Sequence, residues 1–219
     1  RVSRNPIRRI YLRVREGGSV EVTAPRRVSE REIRDFVAGK TAWLTKYMAL
    51  VPEKIKFQYV TGEIHHVFGR AYPLQVCLGM RDDAVVSTDG ELQLVLRTKQ
   101  REREKVFKAG MKRILLWEIA KQLEIWTKRM AIPESRITGV TIRVMKSRWG
   151  SCRRVTGRFS FALDLVTKPK ECIEAVVIHE LCHLFAAGHG PDFYAQMETY
   201  LPDYKERDRL LASLPRELV

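Results

Sequence analysis

Apolar and polar residues alternate near the start of the chain, over residues 7–15 and 20–24. A period of two predicts β-strands, because successive side chains of a strand point to opposite faces of a sheet. The two runs flank Gly17-Gly18-Ser19, and glycines in such a position favour a tight turn. The pattern therefore predicts a β-hairpin.

A helix is predicted directly after the hairpin. Ser29 is followed three residues later by Glu32, which is the spacing of a capping box. We expect this helix to cover residues 30–50 and to end before Pro52, since proline cannot continue it.

The rest of the chain alternates between short strands and helices. Strands are predicted over residues 64–68, 72–78, 84–88, 91–97, 137–145 and 158–165. Helices are predicted over residues 101–131, 171–187, 192–200 and 203–214. This order predicts an α+β fold, with a soft boundary near residue 98 between a β-rich part and a mainly helical part.

Composition limits the class of protein. The chain has 219 residues, of which 45% are hydrophobic, enough for one sizeable core or for a small domain attached to a larger one. No apolar run is long enough to span a membrane, and the first residues lack the apolar core of a signal peptide. The four cysteines show no paired spacing, so we expect reduced thiols in a cytoplasmic protein.

The net charge of +14 is concentrated in three basic runs, within residues 1–34, 97–113 and 143–158. One interpretation is a solvated cationic surface that aids solubility. The other is a polyanionic partner, either nucleic acid or a nucleotide substrate.

Residues 179–183 read His-Glu-Leu-Cys-His, and His189 follows. On a helix, His179 and His183 leave the same face one turn apart. Two neutral imidazoles at this spacing can occupy two corners of a zinc tetrahedron. Glu180 lies beside the first histidine, where its carboxylate can reach a water activated by the metal. The pattern predicts a zinc-dependent hydrolase.

The helix around this motif is apolar on nearly all sides, which predicts that it is buried. Buried histidines need partners, and a metal ion would supply one for each imidazole. We expect the helix to end at Gly188, so that the following turn brings His189 back to the site as third ligand. Glu198 in the next helix is the alternative third ligand. Either choice leaves the fourth position for water.

Several segments together resemble a known family. MKSRWGSC at residues 145–152, the HELCH motif, His189 and Phe193-Tyr194 are similar to the YgjP-like metal-dependent hydrolases, which are related to SprT-like and WLM zinc peptidases. The similarity also includes residues 8–25 and 201–205, and so extends over almost the whole chain.

The resemblance implies a β-rich N-terminal subdomain over residues 1–98 and a minimal zincin-type catalytic domain over residues 99–219. The catalytic domain would contain a long helix, a small sheet, the HExxH helix and C-terminal helices. The resemblance further implies a Zn²⁺ cofactor with three histidine ligands and one catalytic general base, here His179, His183, His189 and Glu180.

Five further residues are candidates for substrate binding. In related zinc peptidases a strand at the place of Trp149-Gly150 borders the cleft and pairs with an extended peptide, and Gly150 would allow close approach of the backbones. Arg148, Tyr194 and Tyr204 are candidate donors to the transition state.

Three functions follow from these observations. The favoured one is a zinc metallopeptidase that acts on a peptide or protein with Glu180 as general base. The second is a metal-dependent pyrophosphatase of nucleoside triphosphates such as UTP, as described for some members of the resembling family, although the chain has no P-loop pattern. The third is a basic nucleic-acid-binding module with a structural zinc site. No membrane partner is expected.

Overall fold

The computed structural model describes residues 1–14, 19–50, 56–98 and 102–218, and it confirms the predicted α+β class. The chain forms two compact units, Arg1–Lys56 and Phe57–Val219. Across the described residues, every helix is either too short or too polar to cross a membrane.

The first unit contains a small sheet of three strands. These strands are β1 (Val2–Asn5), β2 (Tyr11–Val14) and β3 (Val20–Pro25), in the order β1-β3-β2. β2 and β3 pair antiparallel, which confirms the predicted hairpin, although Gly17 and Gly18 of its turn lie outside the described residues. β1 joins β3 in parallel and was not predicted.

The segment predicted as one helix over residues 30–50 forms two helices, α1 (Glu30–Ala38) and α2 (Thr41–Leu50). The predicted capping box opens α1, where the Ser29 N–H donates to Glu32 at 2.8 Å. The single-helix prediction was wrong because Gly39 caps α1, and glycine is among the poorest helix formers. The Thr41 hydroxyl also donates a hydrogen bond to the Ala38 carbonyl, with an oxygen–oxygen distance of 2.6 Å. Pro52 lies outside the described residues.

The second unit begins with a four-stranded sheet covered by a long helix. The strands are β4 (Ile64–Val67), β5 (Arg70–Leu78), β6 (Asp83–Val86) and β7 (Leu92–Leu96), in the order β4-β5-β7-β6, and the helix is α3 (Arg103–Arg129). Leu94 of the sheet and Met111 of α3 are fully buried in one core. The predicted boundary near residue 98 lies within this unit, and its role as a functional boundary stays a prediction.

The remaining elements include the helix that carries the histidine motif. They are β8 (Gly139–Arg143), β9 (Gly150–Arg153) and β10 (Arg158–Ala162), then α4 (Lys170–Cys182), α5 (Pro191–Tyr200) and α6 (Tyr204–Ser213). The three strands form one sheet in the order β8-β10-β9. The apolar pattern did not predict β9, whereas the resemblance implied a strand at Trp149-Gly150. All four cysteines are free in the structure.

The C-terminal residues return to a 3-10 turn at Leu163–Thr167, between β10 and α4. Asp164 in this turn is fully buried, and its Oδ1 accepts the N–H groups of Glu217 at 2.8 Å and Leu218 at 2.7 Å. The Lys168 ammonium donates to the Pro215 carbonyl. Buried polar groups therefore fix the end of the chain beside the residues that precede α4.

We expect Asp164→Ala to lower the free energy of unfolding by about 2–4 kcal/mol, because it leaves two buried N–H groups without an acceptor. Asp164→Asn is the matched control, since its amide oxygen can still accept both N–H groups, which donate to a single oxygen in the native protein. Urea unfolding of both variants tests this expectation. An Asp164→Ala protein as stable as the Asn control would contradict the anchoring role.

Candidate metal centre and cleft

Three imidazoles converge at the C-terminal end of α4. His179 and His183 lie one turn apart near the end of this helix, with ring centroids 5.0 Å apart, and His189 lies in the loop before α5. One ring nitrogen from each residue lies within 4.8 Å of the others. The Nε2 atoms of His179 and His189 are 3.1 Å apart. The structure thus brings together the three histidines that the sequence predicted as ligands.

Local chain geometry explains how His189 reaches the site. α4 ends at Cys182, earlier than the predicted end at Gly188, and the chain turns there with the Ala186 N–H donating to the Cys182 carbonyl at 3.1 Å. Pro191 then starts α5, which suits proline because the first helical N–H has no intrahelical acceptor.

Phe193 on α5 supports all three imidazoles from one side. Its ring centroid lies 4.8 Å from His179, 4.8 Å from His183 and 4.7 Å from His189, and its side chain is buried. The sequence motif included Phe193 but did not reveal this role. Its spacing of four residues from His189 was the available signal.

Burial keeps two of the imidazoles neutral. It lowers the pKa of His179 to about 4, with smaller contributions from His183 and His189. Burial also lowers the pKa of His183, against the raising effect of its bond to the Ala186 carbonyl. Since a carbonyl can only accept, the 3.3 Å contact assigns the proton of His183 to Nδ1 and leaves the Nε2 lone pair available.

The geometry fits a divalent metal. Two nitrogens bound to one zinc ion at ~2.0–2.1 Å and the tetrahedral angle lie about 3.4 Å apart. The observed separation of 3.1 Å between His179 and His189 is close to this value. The alternative ligand Glu198 instead pairs with Lys205 at 3.2 Å, and it is not a member of the histidine cluster in the described part of the chain.

Glu180 lies beside the cluster in a dry environment. The residue is 4% exposed, and its Oε2 has no hydrogen-bond partner among the described residues. Burial raises the pKa of its carboxyl to about 8, although the charge of Arg148 and the backbone N–H of Cys152 lower it. A positive charge among the imidazoles would oppose the effect of burial, because an adjacent cation favours the ionised carboxyl.

A cavity of about 580 Å³ opens over the cluster and Glu180. One wall is strand β9 with the preceding Arg148 and Trp149. Gly150 passes so close to Glu180 that an added Cβ would lie 2.5 Å from the carboxylate Oε1. The predicted close approach at Gly150 therefore exists, and here it is an approach to the Glu180 side chain.

Arg216 holds the wall of the cavity in place. Its guanidinium lies 3.7 Å from the centroid of Trp149 and donates to the carbonyls of Met145 at 2.7 Å and Arg148 at 3.1 Å. Sequence reasoning missed Arg216, because its contacts join residues about 70 positions apart and no local pattern encodes them.

The two tyrosines proposed as substrate contacts lie elsewhere. Tyr194 is 43% exposed and stacks on Tyr204, which is itself buried. Neither residue belongs to the lining of the 580 Å³ cavity. Their proposed part in catalysis stays a prediction, as does that of Arg148, Trp149 and Gly150, which do line it.

Comparison with known proteins gives one match over nearly the whole chain. A family model described as "YgjP-like, metallopeptidase domain" matches residues 8–214. The crystal structure of the metallopeptidase zymogen abylysin from Pyrococcus abyssi is 24% identical, with a TM-score of 0.40, and the match covers 46% of this chain and 99% of that one. The jannalysin zymogen of Methanocaldococcus jannaschii is 20% identical, with a TM-score of 0.38, over 43% of this chain and 93% of that one. No curated protein matches.

We expect the chain to bind one divalent ion and to gain stability from it. At a free zinc concentration one hundred times the dissociation constant, binding should add about 2.7 kcal/mol to the free energy of unfolding. His183→Ala and His189→Ala should abolish binding, whereas His66→Ala, outside the cluster, should not. Calorimetric titration of chelator-treated protein measures the stoichiometry, and equal binding by all three variants would contradict the assignment.

Gly150→Ala should displace the Glu180 carboxylate and leave metal affinity unchanged. A Cβ at 2.5 Å from Oε1 and 2.7 Å from Cγ cannot be accommodated without movement of this side chain. We expect turnover to fall by ~10²-fold, the order of loss reported for misplaced catalytic groups. Gly139→Ala in the same sheet, where the added methyl has open space, is the control. Equal turnover of the two variants would contradict a role for the Gly150–Glu180 contact in positioning the carboxylate.

Proposed function

The chain belongs to the YgjP-like metallopeptidase domain family, and from this premise we propose that it hydrolyses peptide bonds with a zinc ion held by His179, His183 and His189. Membership in the family confirms the resemblance indicated by the motifs at residues 145–152 and 179–189. The observation that carries the proposal is the convergence of three ring nitrogens within 4.8 Å, next to a buried carboxylate in one cavity.

Zinc is the proposed metal because three imidazoles form one of the donor sets found in catalytic zinc sites. When bound, such an ion supplies Lewis acidity, which makes water a good nucleophile near neutral pH and polarises a carbonyl group. The neutral, buried rings of His179 and His183 are ready to donate lone pairs without first losing a proton.

Glu180 is the proposed general base. Its Oε2 is buried without a hydrogen-bond partner among the described residues, and it lies at the wall of the cavity. This oxygen can accept the proton of the attacking water and later deliver it to the leaving amine. The Glu180 carboxylate packs so closely against Gly150 that an added methyl group would not fit between them, and this packing limits the space in which the carboxylate can move.

The free edge of β9 is the proposed binding site for the substrate backbone. In the described sheet β9 pairs only with β10, so its other edge can accept an extended peptide as an added strand. Arg148 and Trp149 precede β9 in the chain. Arg216 stacks on Trp149 and donates a hydrogen bond to the Arg148 carbonyl. A peptide on this edge would lie over Glu180 and the histidines, which line the same cavity.

The nucleic-acid hypothesis rests on the positive charge of the chain, and the pyrophosphatase hypothesis rests on that charge and on the description of some family members. The matching family model describes a metallopeptidase domain, so the metallopeptidase is the function we propose. The cytoplasmic location likewise stays a prediction.

We expect Glu180→Gln to retain the metal and to lower peptidase turnover about 10²–10⁴-fold, the usual contribution of a general base. Glu171→Gln, an exposed residue in the first turn of the same helix, is the matched control. Casein and UTP, offered side by side to the three zinc-loaded proteins, identify the substrate class. Hydrolysis of UTP but not casein, lost in Glu180→Gln, would replace the peptidase by a pyrophosphatase.

A further inference from the structure

The outer face of the β8-β10-β9 sheet carries arginines and hydroxyl groups. Phe159 and Phe161 of β10 are buried in the core, and side chains alternate along a strand, so Arg158 and Ser160 face the other side. The strand register places equivalent residues of β8 and β9 on that face. The outer face thus includes Thr141, Arg143, Ser151, Arg153, Arg158 and Ser160, together with Gly139 and the buried Ala162.

A groove of about 730 Å³ runs over this outer face. The groove and the metal cavity share part of their walls, since Arg148, Ser151 and Cys152 line both. A peptide paired with β9 would therefore present alternate side chains to the groove and to the cavity with Glu180 and the histidines.

The arginines of this face have no acidic partner among the described residues. Arg143, Arg153 and Arg158 are exposed, and none of them forms an ion pair within 4.0 Å with a described residue, whereas other cations of the same unit do, such as Arg113 with Asp83. Arg153 and Arg158 are direct cross-strand partners, and like charges so placed repel each other. No aspartate or glutamate lines the groove in the described structure. An anion between the two guanidiniums would relieve this repulsion.

We propose that the outer face of this sheet binds acidic side chains of the peptide substrate, so that the protein prefers extended segments rich in aspartate and glutamate. This inference rests on the proposed peptidase function. Ser151 and Arg153 lie two residues apart on one face of β9, a separation of ~6.6 Å. A peptide paired with β9 presents alternate side chains at the same spacing, and carboxylates at those positions meet Arg153 and Arg158.

A polypeptide fits these observations better than nucleic acid. The groove shares strand β9 with the proposed site of hydrolysis, and backbone pairing at the edge of this strand requires the N–H and C=O groups of a peptide. A nucleic acid could bind the arginines but not this edge.

The test compares binding of labelled peptides of equal length to zinc-loaded Glu180→Gln protein, so that nothing is cleaved. One peptide carries aspartate and glutamate at alternate positions, a second carries asparagine and glutamine, and a third carries lysine. We expect the acidic peptide to bind about tenfold more tightly than the neutral one at low salt, from several exposed charge contacts. The preference should fade as added salt shortens the range of these interactions.

Charge variants assign the preference to this face. Arg143→Gln, Arg153→Gln and Arg158→Gln combined should abolish it and leave the neutral peptide unaffected. The control combines Arg8→Gln, Arg26→Gln and Arg27→Gln, exposed arginines of the first unit that form no ion pair with a described residue, and it should retain the preference. Arg153→Glu with Arg158→Glu should transfer the preference to the lysine peptide.

Three outcomes would overturn the inference. They are equal affinity for acidic and neutral peptides, equal loss in the arginine variant and the control, or tighter binding of single-stranded DNA that the same three substitutions abolish. Because binding is measured without turnover, these results are independent of cleavage. A protein that prefers acidic peptides through these arginines but cleaves none would contradict only the peptidase function.

Discussion

The enclosure of α4 by the rest of the second unit is the constraint on which the site depends. Residues on all sides of this helix, including Cys172, Ile173, Val177 and Leu181, are fully buried. Packing on every side leaves the helix no freedom to rotate, so the directions of His179 and Glu180 are fixed by the core. The same enclosure removes water from both side chains, which lowers the pKa of His179 and raises that of Glu180.

Contacts before and after α4 in the chain also fix the position of the cavity wall. Asp164 precedes the helix and binds the backbone of the C-terminal residues, and Arg216 in those residues stacks on Trp149. Trp149 is followed by Gly150, which contacts Glu180. The C-terminal residues, the edge strand and the proposed base therefore form one continuous set of contacts, in which each member limits the position of the next.

Sequence alone predicted those features that depend on local patterns. The period of the apolar residues located most strands and helices, and the spacing of His179, His183 and His189 predicted their convergence. The end of α4 was predicted at Gly188, but the helix ends at Cys182. A glycine is only one of several signals that end a helix, so its position alone did not locate the turn. The groove on the outer face of the sheet could not be predicted, since it depends on the register of β9 with β10.

The most direct test of the central claim is the anomalous scattering of crystals grown with zinc, measured on both sides of the zinc absorption edge. We expect one strong peak per chain, within bonding distance of ring nitrogens of His179, His183 and His189. Glu180 should not ligate this ion. A peak elsewhere, no peak, or an ion whose coordination is completed by a fourth protein side chain would contradict the proposed catalytic centre.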